Sequence, residues 1–85
     1  MYIIRAIYAD GHTESIKKKW TLQDVQVFIG GYMEVLDSTM PHRALVCDEE
    51  GVLKEKPINI EAMRLVHSRY FMSQGLRGNC LLVKW

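Results

Sequence analysis

Apolar residues recur at two different periods along this chain, and the switches between them divide it into elements. Tyr2 to Tyr8, YIIRAIY, is β-branched and aromatic and suits a pleated strand. Alternation places Ile3, Arg5 and Ile7 on one side and Tyr2, Ile4, Ala6 and Tyr8 on the other, and a strand apolar on nearly both sides belongs inside a sheet. Asp10-Gly11 is a turn signal, after which HTESIKKKW returns as a polar strand, Glu14, Ile16, Lys18 and Trp20 opposing Thr13, Ser15, Lys17 and Lys19. That polarity predicts an edge, where lysines discourage pairing with other chains.

The period then becomes helical. Thr21 is a good N-cap, Asp24 completes a weak capping box, and Leu22, Val25, Phe28 and Ile29 form a stripe over about eight residues. Gly30 suits a left-handed helix stop, and Gly31 lets the chain turn into a strand over Tyr32 to Leu36. On that strand Tyr32, Glu34 and Leu36 share one face, and Met33 and Val35 are the better candidates for burial. Asp37 to Arg43 is a loop by composition, and Arg43 to Cys47 is again strand-like. Asp48-Glu49-Glu50-Gly51 reads as a tight turn with Gly51 at positive φ, from which Val52 to Lys54 pairs back until Pro57. Asn59 caps a second helix from Ile60 to about Phe71, with Ile60, Met63, Val66, His67 and Tyr70 at helical spacing. After a connector with Gly75 and Gly78, Cys80 to Trp85 forms a last apolar strand.

The expected order is β-β-α-β-β-β-α-β in one domain spanning residues 1–85. Strands this close together are joined directly except where a helix intervenes, so the fold class is α+β, with a mixed, mainly antiparallel sheet packed with two helices.

Two stretches, TLQDVQVFIGGYMEV (21–35) and CDEEGVLKEKPINIEAM (47–63), resemble a small domain family of unknown function common in bacteriophages and other mobile elements. Its pattern runs T-L-x-x-x-Q-x-x-[VI]-G-G-Y-[IM]-E-V and then N-E-E-G-x-L-x-x-x-P-x-N, and the resemblance covers roughly residues 20 to 84. It implies mobile-element provenance and carries no activity with it. Asp48 stands where asparagine is usual and Asn79 where aspartate is usual, each able to hold a turn.

Composition narrows the class. Eighty-five residues bury only about 60 to 65% of the unfolded surface, so the core is thin. Side chains such as Met33, Phe71, Met72 and Trp85 then invite burial between subunits, the basis for expecting a homo-oligomer. The chain is 48% apolar and 25% charged, as in ordinary soluble domains. A net charge of +1 from eleven basic and ten acidic residues supplies no global attraction to nucleic acid or membrane. The N-terminus lacks the pattern of a signal peptide and no apolar run reaches membrane-spanning length, so a cytoplasmic location is expected. Cys47 and Cys80 lack metal or redox spacing and read as buried thiols; a disulfide requires their strands to be neighbours and is disfavoured in a reducing compartment.

No motif carries catalysis. Three consecutive acids at Asp48 to Glu50 splay in a turn instead of converging on a cation. Gly30-Gly31 follows a helix and precedes a strand, the wrong end of the dipole for phosphate. His12, His42 and His67 have no ligand spacing, Ser38, Ser68 and Ser73 lie in no nucleophile elbow, and Cys47 has no adjacent base. Neither a metal nor a cofactor is expected. The sequence therefore favours a non-enzymatic binding protein that occupies a protein or a small anionic ligand. Candidate contacts are Tyr32 and Glu34 for a partner, and Arg64 and Arg69 for anionic groups, which guanidinium forks suit. The alternative is a nucleic-acid accessory role through Lys17, Lys18, Lys19 and Trp20, where ammoniums meet phosphates and an aromatic stacks. Gly30, Gly31 and Gly51 are expected to be structural turns.

Overall fold

A computed structural model of the chain describes residues 1–66 and 75–84. The elements are β1 (Tyr2–Ile7), β2 (Thr13–Lys19), α1 (Leu22–Ile29), β3 (Met33–Asp37), β4 (Arg43–Asp48), α2 (Ile60–Met63) and β5 (Cys80–Lys84). Among the described residues the four strand pairs are antiparallel and the sheet order is β2-β1-β5-β4-β3. This is the α+β class the pattern predicts, an antiparallel sheet with two helices. The most continuously apolar strand takes the middle: Cys80, Leu81, Leu82 and Val83 of β5 are all buried, as a strand covered on both faces should be.

Both faces are indeed covered. On one, Ile3, Ala6, Ala44, Val46, Leu81 and Val83 pack with Val25 and Ile29 of α1, joined by the half-buried Phe28, Trp20 and Met33. On the other, Ile7, Leu36, Leu45, Cys47, Cys80 and Leu82 pack with Ala62 of α2, Val66 and Leu76. The polar strand β2 is an edge as expected, and β3 is the other.

The departures from the sequence reading have local causes. In β1 the register shifts between Ile3 and Arg5 against both neighbours. Ile3 and Ala6 consequently face α1 while Ile4 and Ile7 face α2, which corrects the simple alternation; a bulge changes the side on which later residues fall. On β2 the irregularity holds Lys17 at φ 55. In β3, which starts at Met33, Met33 is half-buried on the α1 side as expected, but Val35 is exposed and Leu36 is buried in its stead. Residues 52–54 lie in turns and pair with no strand. Gly51 is not among the positive-φ residues; Glu55 is, at φ 54. Gly51 is required by closeness instead, because a Cβ there would lie 3.0 Å from the Arg77 carbonyl oxygen. Helix α2 closes at Met63 with Arg64 as its C-cap, and Val66 bridges Ser38. The predicted continuation through His67, Tyr70 and Phe71, together with Met72 and Trp85, lies outside the described residues.

Candidate functional site

The two motif stretches meet at the C-terminal end of α1. An α-helix leaves its last carbonyls without intrahelical donors, and α1 has no basic residue in its last turn. Gly30, at φ 79, closes the helix, and the Gly30 and Gly31 amides both donate to the Gln26 carbonyl. Two further carbonyls at this end, those of Ile29 and Gly30, are reached from the second motif. Lys56 Nζ donates to Ile29 O at 2.6 Å and Lys54 Nζ to Gly30 O at 2.9 Å. Both ammoniums also contact Asp48 Oδ2, at 2.7 and 2.9 Å, while Asp48 Oδ1 accepts from the Glu50 amide at 2.9 Å.

The Asp48 side chain is wholly buried. Burial would raise its pKa, but the hydrogen bonds from Lys56, Lys54 and the Glu50 amide prevail and hold it at about 2. A carboxylate with both oxygens so engaged is a structural anion, neither a proton acceptor near neutrality nor an open cation ligand. The glycines make room for it: a Cβ on Gly31 would lie 2.6 Å from Lys54 Nζ and 2.8 Å from Asp48 Oδ1.

Asn59 is a second architectural node. It caps α2 by accepting from the Ala62 amide at 3.0 Å, and its Nδ2 donates at 2.9 Å to both Ile7 O of β1 and Gly78 O. Its own amide donates to Leu76 O at 2.8 Å. One buried side chain thus ties α2, β1 and the approach to β5 together. Asn79 accepts from the Ala9 amide at 3.0 Å, the turn-holding role its residue type allows. The cysteines are buried. Burial pushes the Cys80 thiol up to about 12 and, with Cys80 and Glu34 adding charge effects, raises Cys47 still further. Neither is an activated nucleophile.

The open surface lies over α1. A shallow groove of about 610 Å³ is lined by Lys18, Lys19, Trp20, Gln23, Asp24, Val27 and Phe28. A second, of about 360 Å³, is lined by Gln23, Gln26, Val27, Gly31 and Tyr32. They share Gln23 and Val27, so one surface runs from the basic β2 edge across the helix to Tyr32. Its floor is fixed by aromatic packing, Trp20 on Phe28 with ring centroids 5.7 Å apart and Phe28 on Tyr8 at 5.5 Å. Its apolar contacts are uncovered: Val27 is 75% and Tyr32 67% exposed.

The fold therefore joins two sets of candidates the sequence kept apart, Tyr32 and the Lys18 to Trp20 edge. It separates others. Glu34 lies near Cys47, whose Sγ is 3.9 Å from its carboxylate, across the sheet from α1. Arg64 is on the α2 side, paired with Glu61 at 3.0 Å. There it lines a cleft of about 180 Å³ with Arg5 and Glu61. Arg69 lies outside the described residues, and Lys17 is not among the groove residues. Sequence reasoning missed Val27 and Gln23 as surface contacts and Lys54 and Lys56 as helix caps. Val27 was legible as the apolar residue outside the helix stripe, whereas nothing local marks lysines that act on a helix end more than twenty residues earlier.

A family model described as a domain of unknown function, DUF3846, matches residues 4–85, and the chain belongs to that family. No curated protein and no solved structure matches it.

Proposed function

We propose that this chain is a small non-enzymatic binding module that recognises a protein partner through the exposed face of α1. The observation that carries the reading is the continuous groove joining Lys18, Lys19 and Trp20 to Val27 and Tyr32. Uncovered apolar and aromatic side chains beside a polar rim are the usual anatomy of a recognition patch. Three ionisable residues of the second motif support it from the other side, since Asp48, Lys54 and Lys56 are spent on one another and on the end of α1.

On this reading the protein is encoded by a bacteriophage or another mobile element and works in the cytoplasm of the host cell. There it redirects or blocks a host component by occupying it, as a homo-oligomer whose subunits each present one α1 face. Replacing Val27 with Asp and Tyr32 with Ala alters two exposed side chains and leaves the core intact. Affinity capture from host extract should recover a partner with the wild-type protein and lose it with this double variant. Equal recovery by both would remove the α1 face from the account.

A second reading, nucleic-acid binding, rests on Lys18, Lys19 and Trp20 lining one groove with Phe28. Ammoniums beside aromatic edges suit a single strand, and such binding weakens steeply with salt. A thymidine oligonucleotide shifted by the wild-type protein at low salt, and not by a variant with Lys18 and Lys19 changed to Ala, would favour it.

A further inference from the structure

Cys47 and Cys80 are free thiols on adjacent strands of the sheet. The β4–β5 register pairs Arg43 with Lys84, Ala44 with Val83, Leu45 with Leu82 and Val46 with Leu81. One more step along it sets Cys47 opposite Cys80. Both belong to the cluster on the α2 side, so both side chains leave the sheet on the same face. Opposed residues of an antiparallel pair have Cα atoms about 4.5 to 5.5 Å apart, and a disulfide requires about 4.4 to 6.8 Å. The Cα spacing of such a pair falls within the range of an S–S bond, and closing the bond asks only for a small approach of the two Cβ atoms.

We infer that Cys47 and Cys80 are a latent cross-strand dithiol, an oxidation site at which a low-molecular-weight disulfide converts two buried thiols into one bond fastening β4 to β5. The steps balance. The thiolate of one cysteine attacks the small disulfide and expels one small thiolate, leaving a mixed disulfide. The second cysteine's thiolate then attacks the protein sulfur and expels the other small thiolate. The two protein protons end on the two released thiols, and the two electrons given up by the cysteines reduce the small disulfide.

The same surroundings make the site slow in the closed fold. Both sulfurs are buried, and Cys47 Sγ sits 3.9 Å from the Glu34 carboxylate, a neighbour that opposes a thiolate. Glu34 belongs to β3, an edge strand that among the described residues pairs with β4 only. Loosening of that edge exposes Cys47 first, in the manner of local opening. Reactivity is therefore governed by strand opening and by Glu34.

The test is incubation of the full chain with oxidised glutathione, in buffer and in urea just below the unfolding transition, read by non-reducing intact mass. Expected is a product lighter by two hydrogens with no glutathione attached, formed faster in urea, melting higher than the reduced protein and reverting with dithiothreitol. Glu34→Gln should form it several-fold faster. Cys80→Ser and, separately, Cys47→Ser should give only a mixed disulfide, while the mass assay on the wild-type chain depends on neither variant folding. Glutathione on both cysteines without an internal bond would overturn the inference. So would an internal bond that lowers the melting temperature, or no oxidation where iodoacetamide alkylates both thiols.

Discussion

Lys56 Nζ stands 2.6 Å from the carbonyl oxygen of Ile29, the last residue of α1, and 2.7 Å from the buried carboxylate of Asp48. That contact makes the helix end and the 48–56 turn a single structure. Two positive heads face the negative end of the helix, and one buried anion holds them there. Removing Asp48 leaves two ammoniums gathered without a counter-charge. Both are partly solvated, at 38% and 23% side-chain exposure for Lys54 and Lys56, so the loss should fall below that of a fully enclosed pair. Asp48→Ala is expected to cost about 2 kcal/mol. Asp48→Asn keeps an acceptor for the Glu50 amide and should cost about half of that. Urea unfolding with a constant slope measures both.

The same carboxylate sets an acid dependence. Its folded pKa of about 2 lies below the ordinary 3.8, so its contribution is present in full above the unfolded pKa and is lost as pH falls through the folded one. Wild-type stability should drop by about 1 kcal/mol more than that of Asp48→Asn between roughly pH 4 and pH 2, the lysine partners being part-solvated. Parallel pH profiles for the two proteins would show that Asp48 is not the group responsible.

Gly31→Ala should destabilise by about 1 kcal/mol, because the new methyl displaces the Lys54 and Asp48 heads from their contact. Gly11 offers the comparison, having φ 101 and nothing within 4 Å of a Cβ. Its alanine variant meets only backbone strain, about 1 kcal/mol. If contact is the cause at Gly31, the loss shrinks in a Lys54→Ala background, a coupling that thermal melts of the four-protein cycle report.

Asn59→Ala should be the most damaging single change among the described polar residues, at about 3 kcal/mol. It removes a helix cap and the amide donor to two carbonyls, Ile7 O and Gly78 O, the second keeping only the weak Cys80 Sγ donor at 3.6 Å. Asn59→Asp retains the cap to the Ala62 amide but opposes those carbonyls with a carboxylate, so it should not rescue stability at neutral pH. Recovery of the Asp variant toward wild type would mean that capping alone sets the role of Asn59.

Much of the architecture was legible because it is set locally. Thr21 and Asp24 form the expected capping box, Gly30 takes the left-handed stop, and the lysine-rich β2 lies at the edge. Asn59 caps α2 as its position before an apolar run implies. Failures came where distant parts decide. The bulge at Ile3 to Arg5 is a matter of registry with two neighbouring strands. Leu36 is buried in place of Val35 because the α2 side covers that end of β3. The acidic turn reads from sequence as three splayed carboxylates, yet Asp48 is drawn inside by two lysines and the end of α1. Site residues divided in the same way. Tyr32 was visible as an exposed aromatic, but its company with Val27 and Lys18 depends on how α1 lies across the sheet.

The division between motif residues that build the fold and an α1 face that recognises a partner is tested most directly by site-specific photo-crosslinking in host cells. A benzoylphenylalanine at position 27 and another at position 64 report the two sides of the sheet in the same folded protein. The account predicts a discrete adduct from position 27, lost when Tyr32 is also changed to Ala, and none from position 64. Crosslinking from position 64 alone would contradict it.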